Sequence, residues 1–239
     1  SAYHLFYADA VGSPGTDLTF FDWMVPPEHR GTHSIIRTPL RVDGRASLEY
    51  WLHRLSELQV KNEGISERDG RLIIDFEDPE GQRLALVDHS GQGDPPVPWE
   101  QSPVPPEHQV RGLRPIMLSV PDPTPTDAVL RSVMGMRHAR EYALAGPEEG
   151  VVHVYEMGDG GPHAELHVAV QPGLPVVRPG AGSGSWLRHR LGPAVFGCPR
   201  SSRFSCDTAV DDPVGLRDRG QERLVRGPGA FRAAFAPAR

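Results

Sequence analysis

A short hairpin signal occurs three times in the chain, and this repeat constrains the fold more than any other sequence feature. The copies are residues 3–21 (YHLFYADAVGSPGTDLTFF), 71–89 (RLIIDFEDPEGQRLALVDH) and 151–170 (VVHVYEMGDGGPHAELHVAV). In each copy, two apolar runs flank a turn rich in Asp, Gly or Pro, which favours two strands joined by a tight turn. Because a lone hairpin is marginally stable in water, each copy needs further elements to pack against.

The second and third hairpins each follow a predicted strand and a predicted helix. Residues 33–37 predict the first of these strands, bounded by Gly31 and Pro39. Apolar residues then recur at helical spacing, at Leu48, Trp51, Leu52, Leu55 and Leu58. Before the third hairpin, residues 116–120 predict a strand, and Gly135 ends the next predicted helix. The apolar face of that helix is predicted to hold Val129, Leu130, Val133 and Met134.

The repeating unit is therefore a strand, a helix and about three strands, and it is complete twice. We predict an α+β fold of repeated βαβββ modules, whose cupped mixed sheets carry the helices outside. The predicted divisions are 1–30 for the rear half of a first module, 31–90 for the second module, 91–109 for a Pro-rich linker, 110–172 for the third module and 173–239 for a degraded fourth module or non-homologous tail. The Pro content of the linker predicts that it continues neither a sheet nor a helix.

Composition argues against several classes of partner. The net charge is -6, so no global excess of basic residues favours a nucleic-acid partner. We find no signal peptide and no apolar run near the roughly 20 residues of a membrane span. The two cysteines, Cys198 and Cys206, form no metal-ligand pattern, so we expect a cytoplasmic protein. The oligomeric state stays open, and a homo-oligomer is one of the alternatives.

These segments resemble the vicinal oxygen chelate superfamily, which includes glyoxalases and extradiol dioxygenases and is built from βαβββ modules. Residues 76–81 (FEDPEG) with the following RLALV look like the last hairpin of such a module. Residues 3–23 (YHLFYADAVGSPGTDLTFFDW) resemble the first module of the four-module dioxygenases that open hydroquinones and catechols. The resemblance extends from residue 1 to about residue 182.

The resemblance implies an enzyme of aromatic compound degradation that inserts O2 into a small aromatic diol. It further implies Fe(II), or less often Mn(II), bound by two histidines and one carboxylate within a cupped sheet. Such a site keeps open coordination positions at which the diol oxygens and O2 bind side by side.

The ligands that the family uses are missing at the expected positions. The first His would precede the YHL strand, and the second would follow a GAG sequence within a His-His pair, whereas residues 180–190 are GAGSGSWLRHR. The expected Glu is also missing from residues 226–239 (RGPGAFRAAFAPAR). We therefore expect that the chain as written binds no metal and is inactive. In the tail, only residues 216–220 (LRDRG) resemble the fourth module, and they place Arg219 where the family has an Arg near the substrate.

From residue 180 onward, ten Arg stand against five acidic residues. Together with the missing ligands, this excess leads to the hypothesis that the chain is truncated at its start and that its tail derives from a shifted reading frame.

Five histidines are weaker site candidates. His153, His163 and His167 fall on one predicted hairpin and could hold a transition metal, although a solvated strand face is the favoured interpretation. His33 and His167 resemble superfamily metal positions on a first and a last strand, and they could approach a common cavity if modules two and three pair. A structural role is favoured, because in this family the cup formed by those two modules usually carries no catalytic metal. His4 could line a cup, and a structural role is again favoured.

Two alternative functions remain. The superfamily includes metal-free modules that bind small molecules in the same cup. A glyoxalase-type isomerase or thiol transferase is the second alternative, and it is less favoured because the first hairpin resembles the ring-cleaving branch.

Overall fold

The computed structural model describes residues 4–21, 26–78, 81–93, 95–144 and 149–178. The strands in these ranges are β1 His4–Tyr7, β2 Leu18–Phe21, β3 Ser34–Val42, β4 Asn62–Arg68, β5 Arg71–Glu77, β6 Arg83–Asp88, β7 Met117–Val120, β8 Arg137–Leu144, β9 Gly150–Glu156 and β10 Glu165–Val170. The helices are α1 Gly44–Glu57 and α2 Thr124–Ser132, and a short 3-10 helix spans Pro106–His108. Within the described ranges, neither α-helix is long and apolar enough to cross a membrane.

Eight of these strands form one mixed sheet in the order β4-β5-β6-β3-β7-β10-β9-β8. The unit β3-α1-β4-β5-β6 (module two) is repeated as β7-α2-β8-β9-β10 (module three). In each module the first strand pairs in parallel with the last. The two first strands, β3 and β7, pair antiparallel at the centre and join the modules into one sheet. The predicted α+β fold of βαβββ modules is confirmed.

Helix α1 packs on module two as its apolar spacing predicts. Leu48, Trp51 and Leu55 are buried in one cluster with residues of β3, β5 and β6. Leu52 and Leu58 pack against the same cluster from its margin. The helix therefore covers the outer side of the module with a complete apolar stripe.

Helix α2 follows its predicted spacing only in part. Leu130 is buried against module three and Met134 packs beside it, whereas Val129 and Val133 are 50% and 79% exposed. The prediction that these two valines belong to the packed face is wrong. They lie one position before Leu130 and Met134, on an adjoining stripe that this nine-residue helix turns away from the sheet.

The first hairpin finds its partners in module two and in the segment that follows it. Strands β1 and β2 pair antiparallel and form a two-stranded sheet of their own. Leu18 packs against the cluster under α1. The Asp9 carboxylate accepts a hydrogen bond from Val97 N at 3.1 Å, which links the hairpin to residues 91–109.

Residues 91–109 contain no strand in their described part, but they include the 3-10 helix and pack closely against α1. Val104 is buried in the α1 cluster. The Trp51 indole Nε1 donates to His108 O at 2.7 Å, and the Gln109 amide donates to Trp99 O and Val104 O. This segment therefore contributes to the core of module two.

Candidate functional site

The sheet has an inner face, which we define as the face turned away from α1 and α2. Ile74 and Phe76 of β5 pack under α1, so Asp75 between them points to the inner face. Leu166 and Val168 of β10 pack under α2, so His167 also points to the inner face. Charged side chains on this face lie between small apolar clusters.

An ion pair joins the two ends of the sheet across the inner face. Strands β4 and β8 stand at opposite ends of the strand order. Nevertheless, Arg140 Nη2 on β8 lies 2.5 Å from the carboxylate of Asp69, in the turn that follows β4. The sheet must therefore curl strongly enough to bring its ends into contact, which makes the inner face a cup.

Two arginines enclose one carboxylate in the part of the cup formed by module two. Asp75 accepts hydrogen bonds from Arg68 Nη1 at 3.2 Å and Arg68 Nη2 at 2.5 Å, and it forms an ion pair with Arg37 Nη1. The side chains of Asp75 and Arg37 are only 4% and 7% exposed. A charge buried to this degree is stable only while its partners stay in place.

A longer hydrogen-bonded chain occupies the part formed by module three. Arg140 donates to Asp69 and, through Nη1 at 3.0 Å, to Glu165. The second oxygen of Glu165 lies 3.1 Å from His167 Nε2, and His167 Nδ1 lies 2.9 Å from the Tyr142 hydroxyl. Both oxygens of Glu165 and both ring nitrogens of His167 are therefore engaged within the protein.

Electrostatics set the protonation of two members of this hydrogen-bonded chain, Glu165 and Tyr142. Burial by itself would raise the pKa of Glu165, but hydrogen bonds and charges from His167 and Arg140 outweigh burial and lower that pKa to about 2. Burial raises the pKa of the Tyr142 hydroxyl. At neutral pH Glu165 is thus a carboxylate and Tyr142 an intact phenol that can donate to His167.

The described residues of the cup do not fit a metal held by two histidines and one carboxylate. The residues that the first and last strands of the two modules present to the inner face include Arg37, Ala85, Met117, Glu165 and His167. Glu165 and His167 are the metal-ligating types in this set, and internal hydrogen bonds engage both. Among the described residues, the groups of three converging His, Asp or Glu ligands lie elsewhere.

The histidines considered for a metal in the sequence lie apart from one another. His33 is exposed just before β3, where its Nδ1 contacts the Thr32 hydroxyl, and it belongs to no ligand group with His167. His163 is exposed in the turn before β10, so it does not share a strand with His167. His153 lies on β9 beside Tyr155, on the outer side of the sheet.

The two remaining candidates are His4 and Arg219. His4 begins β1, where its backbone pairs with Phe21. Arg219 and the rest of residues 179–239 lie outside the described residues, so the predicted degraded module or non-homologous tail stays a prediction.

Two groups of converging ligands occur outside the cup. Asp43, Asp88 and His89 meet at the end of module two, but Arg111 pairs with Asp43 at 2.8 Å and Gly91 N donates to His89 Nδ1 at 2.9 Å. The second group, His138, Glu141 and His153, lies on the outer side of β8 and β9. Sequence spacing missed it because a regular strand would place His138 and Glu141 on opposite faces.

An apolar pocket of about 120 Å³ lies between the first hairpin and residues 91–109. Four aromatic side chains contribute to its wall, Tyr7, Phe20, Trp51 and Trp99. Asp9, Ser102 and Gln109 provide polar groups in the lining. The pocket is lined partly by module two and is separate from the cup.

Comparison with known proteins identifies relatives of the same architecture. The chain is 44% identical over 183 residues to MhqA of Bacillus subtilis strain 168, which is named as a ring-cleaving dioxygenase; the match covers 76% of this chain and 57% of that protein. It is 27% identical over 157 residues to MhqO of the same strain, similarly named, covering 66% of this chain and 47% of that protein. A search with family models finds no match.

A crystal structure described as that of a dioxygenase from Bacillus subtilis superposes with a TM-score of 0.62 at 24% identity, covering 76% of this chain and 55% of that one. The chain spans about half the length of the relatives it matches. The paired βαβββ modules and these similarities show that the chain belongs to the vicinal oxygen chelate superfamily, among proteins similar to its ring-cleaving dioxygenases.

Proposed function

We propose that modules two and three are the structural centre of an extradiol dioxygenase-like protein, whose family reaction inserts O2 into a hydroquinone or catechol. We further propose that this chain does not itself catalyse ring cleavage. The similarity to MhqA supports the reaction class. The absence of the family's two His and one Glu from the matching positions of the sequence supports inactivity. The cup of modules two and three offers no substitute site, because its acidic groups are committed to arginines.

The ion pairs leave the cup unsuited to hold a metal. A cation approaching Asp75 would have to displace Arg37 or Arg68, and one approaching Glu165 would have to displace Arg140. Breaking the buried Arg37–Asp75 pair would leave an uncompensated charge, which typically costs about 3 to 5 kcal/mol, and the cost at the more exposed Arg140 would be smaller. Fe(II) or Mn(II), which would activate O2 in the family reaction, therefore has no ready ligand set among the described cup residues.

An oxygen electrode tests this proposal. The purified chain is incubated with Fe(II), or separately with Mn(II), and with catechol or hydroquinone, beside an extradiol dioxygenase of proven activity. We expect no diol-dependent O2 uptake above that of the metal and diol alone. Diol-dependent uptake that requires the protein and Fe(II) would contradict it, and retention of that uptake in the Glu165→Gln variant would place the site outside the cup.

The aromatic pocket favours a second candidate function, metal-free binding of a small aromatic molecule. The pocket volume of about 120 Å³ is of the same order as the cavities of about 150 Å³ that bind benzene, and the pocket is partly open to solvent. The aromatic wall offers stacking and edge contacts, and the polar lining groups could orient a hydroxyl. A diol bound here would contact the hairpin and would not enter the cup.

Calorimetric titration with hydroquinone in the presence of EDTA tests this candidate. We expect saturable binding that Leu18→Trp abolishes by filling the pocket, since Leu18 is one of its lining residues. Leu174→Trp is the matched control because Leu174 is exposed away from the pocket. Absence of saturable binding to the wild-type chain, or equal binding by the Leu18→Trp variant, would refute the candidate.

A further inference from the structure

Two histidines and one glutamate converge on the outer side of strands β8 and β9. His138 Nε2 lies 3.1 Å from His153 Nδ1 and 3.3 Å from Glu141 Oε1. The third side of the triangle, from His153 Nδ1 to Glu141 Oε1, is 3.0 Å. The three potential ligand atoms therefore form a nearly equilateral triangle.

This triangle has the size that a divalent transition metal requires. Metal bonds to imidazole nitrogen and to carboxylate oxygen are about 2.0 to 2.2 Å long. Neighbouring ligand atoms around such an ion are then roughly 3.0 to 3.4 Å apart in octahedral or tetrahedral geometry. One ion above the triangle could contact all three atoms without a change in the backbone.

A β-bulge creates the convergence. His138 is opposite Tyr155, but Arg140 is already opposite Val154, so two steps along β8 match one step along β9. After the bulge, Glu141 is directly opposite His153. The extra residue brings His138 and Glu141, three positions apart, to the same face, and bulges are a recurrent device for re-aiming side chains.

The His138 ring packs on Tyr155, and all three side chains are partly exposed to solvent. The ring of His138 packs edge-on against Tyr155 at 5.4 Å between centroids, and the Tyr155 hydroxyl donates to Asp127 of α2 at 2.9 Å. The side chains of His138, Glu141 and His153 remain 32%, 50% and 21% exposed. An ion bound here would keep coordination positions facing solvent.

In the described ranges, the guanidinium groups of Arg137 and Arg140 next to Glu141 pair with other carboxylates. Arg137 pairs with Glu156 at 2.5 Å, and Arg140 pairs with Asp69 and Glu165 on the inner face. Glu141 Oε1 lies within 3.3 Å of one ring nitrogen of each histidine. This arrangement differs from the cup, where arginines neutralise the carboxylates.

We propose that His138 Nε2, His153 Nδ1 and Glu141 Oε1 form a binding site for a divalent first-row transition metal. Two imidazole nitrogens and one carboxylate oxygen suit such ions, and the remaining positions are open to water or another small ligand. The bound ion would cross-link the edge strand β8 to β9, because its ligands come from both strands. The site lies on the face opposite the cup and does not depend on the ring-cleaving function.

Zinc titration of the purified chain, followed by calorimetry, tests the site. We expect one-to-one binding that weakens at least tenfold in His138→Ala and in His153→Ala. His163→Ala is the matched control, because His163 is exposed nearby in sequence and outside the group, and we expect its affinity to be unchanged. Failure of the wild-type chain to bind Zn²⁺, or equal affinity in all variants, would overturn the proposal.

Imidazole nitrogen NMR during the same titration identifies the ligands. We expect the ring signals of His138 and His153 to shift with Zn²⁺, while those of His89 and His163 stay in place. A shift confined to His89 would assign the ion to the group with Asp43 and Asp88 and overturn the proposal. Loss of zinc binding in the Cys198→Ser/Cys206→Ser variant would assign the ion to the thiols and also overturn it.

Discussion

Modules two and three share one topology but differ in how their helices cover the sheet. The 14-residue α1 buries Leu48, Trp51 and Leu55, whereas the nine-residue α2 buries Leu130. On module two the outer side of β5 is therefore covered, with Ile74 and Phe76 in the α1 cluster. On module three the outer side of β8 and β9 stays open at His138 and His153. Strand pairing thus determines the topology, and helix length determines which surface is left available for binding.

The largest effect is expected where the better-covered module is weakened. Trp51→Ala should lower the free energy of unfolding by about 4 kcal/mol, because it removes a fully buried indole and its hydrogen bond to His108 O. Leu130→Ala in module three should cost about 2 kcal/mol. Urea denaturation measures both values. An equal or larger loss in Leu130→Ala would show that the two helices contribute alike.

The ion clusters of the two modules should also differ in strength. Asp75→Asn removes the charge between two arginines in module two and should cost about 3 kcal/mol, because Asp75 is almost fully buried. Asp69→Asn breaks the pair that joins the modules and should cost about 1 kcal/mol, because its partner Arg140 is about one-third exposed. Denaturation at neutral pH distinguishes the two, and the reverse order would contradict the burial argument.

Acid should destabilise the cup through Glu165 of module three. The pKa of Glu165 is lowered from 4.5 to about 2 in the folded protein, so its stabilisation is complete above about pH 4.5 and is lost as the pH falls towards 2. The corresponding free energy is roughly 3 kcal/mol at most. Glu165→Gln should be less stable than the wild type at pH 7, and this difference should shrink across that window. A difference that stays constant from pH 5 to pH 2 would show that Glu165 does not titrate as described.

The smallest change in the free energy of unfolding is expected for substitutions on the exposed stripe of α2. Val133→Lys should change the free energy of unfolding by less than about 0.5 kcal/mol, because Val133 is 79% exposed. Leu52→Lys is the counterpart on α1 and should cost more, because Leu52 packs against the core. A large loss in Val133→Lys would indicate that this stripe is covered in the folded protein.

The sequence predicted the βαβββ modules because period-two and helical spacing are local properties, as at Leu48, Trp51 and Leu55. It did not predict which apolar stripe of α2 would pack, because adjoining stripes at Val129 and Leu130 have the same spacing. The ion pairs of the cup escaped prediction because they depend on how far the sheet curls. The group at His138 escaped because one extra residue in β8 reverses the expected side-chain alternation.

The contact between Arg140 and Asp69 also has a kinetic consequence. These residues are 71 positions apart, and each lies in a different module. Their contact therefore closes a long chain loop and becomes favourable only after both modules have formed their own hairpins. We therefore expect this interaction to be absent from the folding transition state. Its removal in Asp69→Asn should accelerate unfolding and leave the folding rate nearly unchanged. The contact between the two ends of the sheet would then slow the unfolding of the native state.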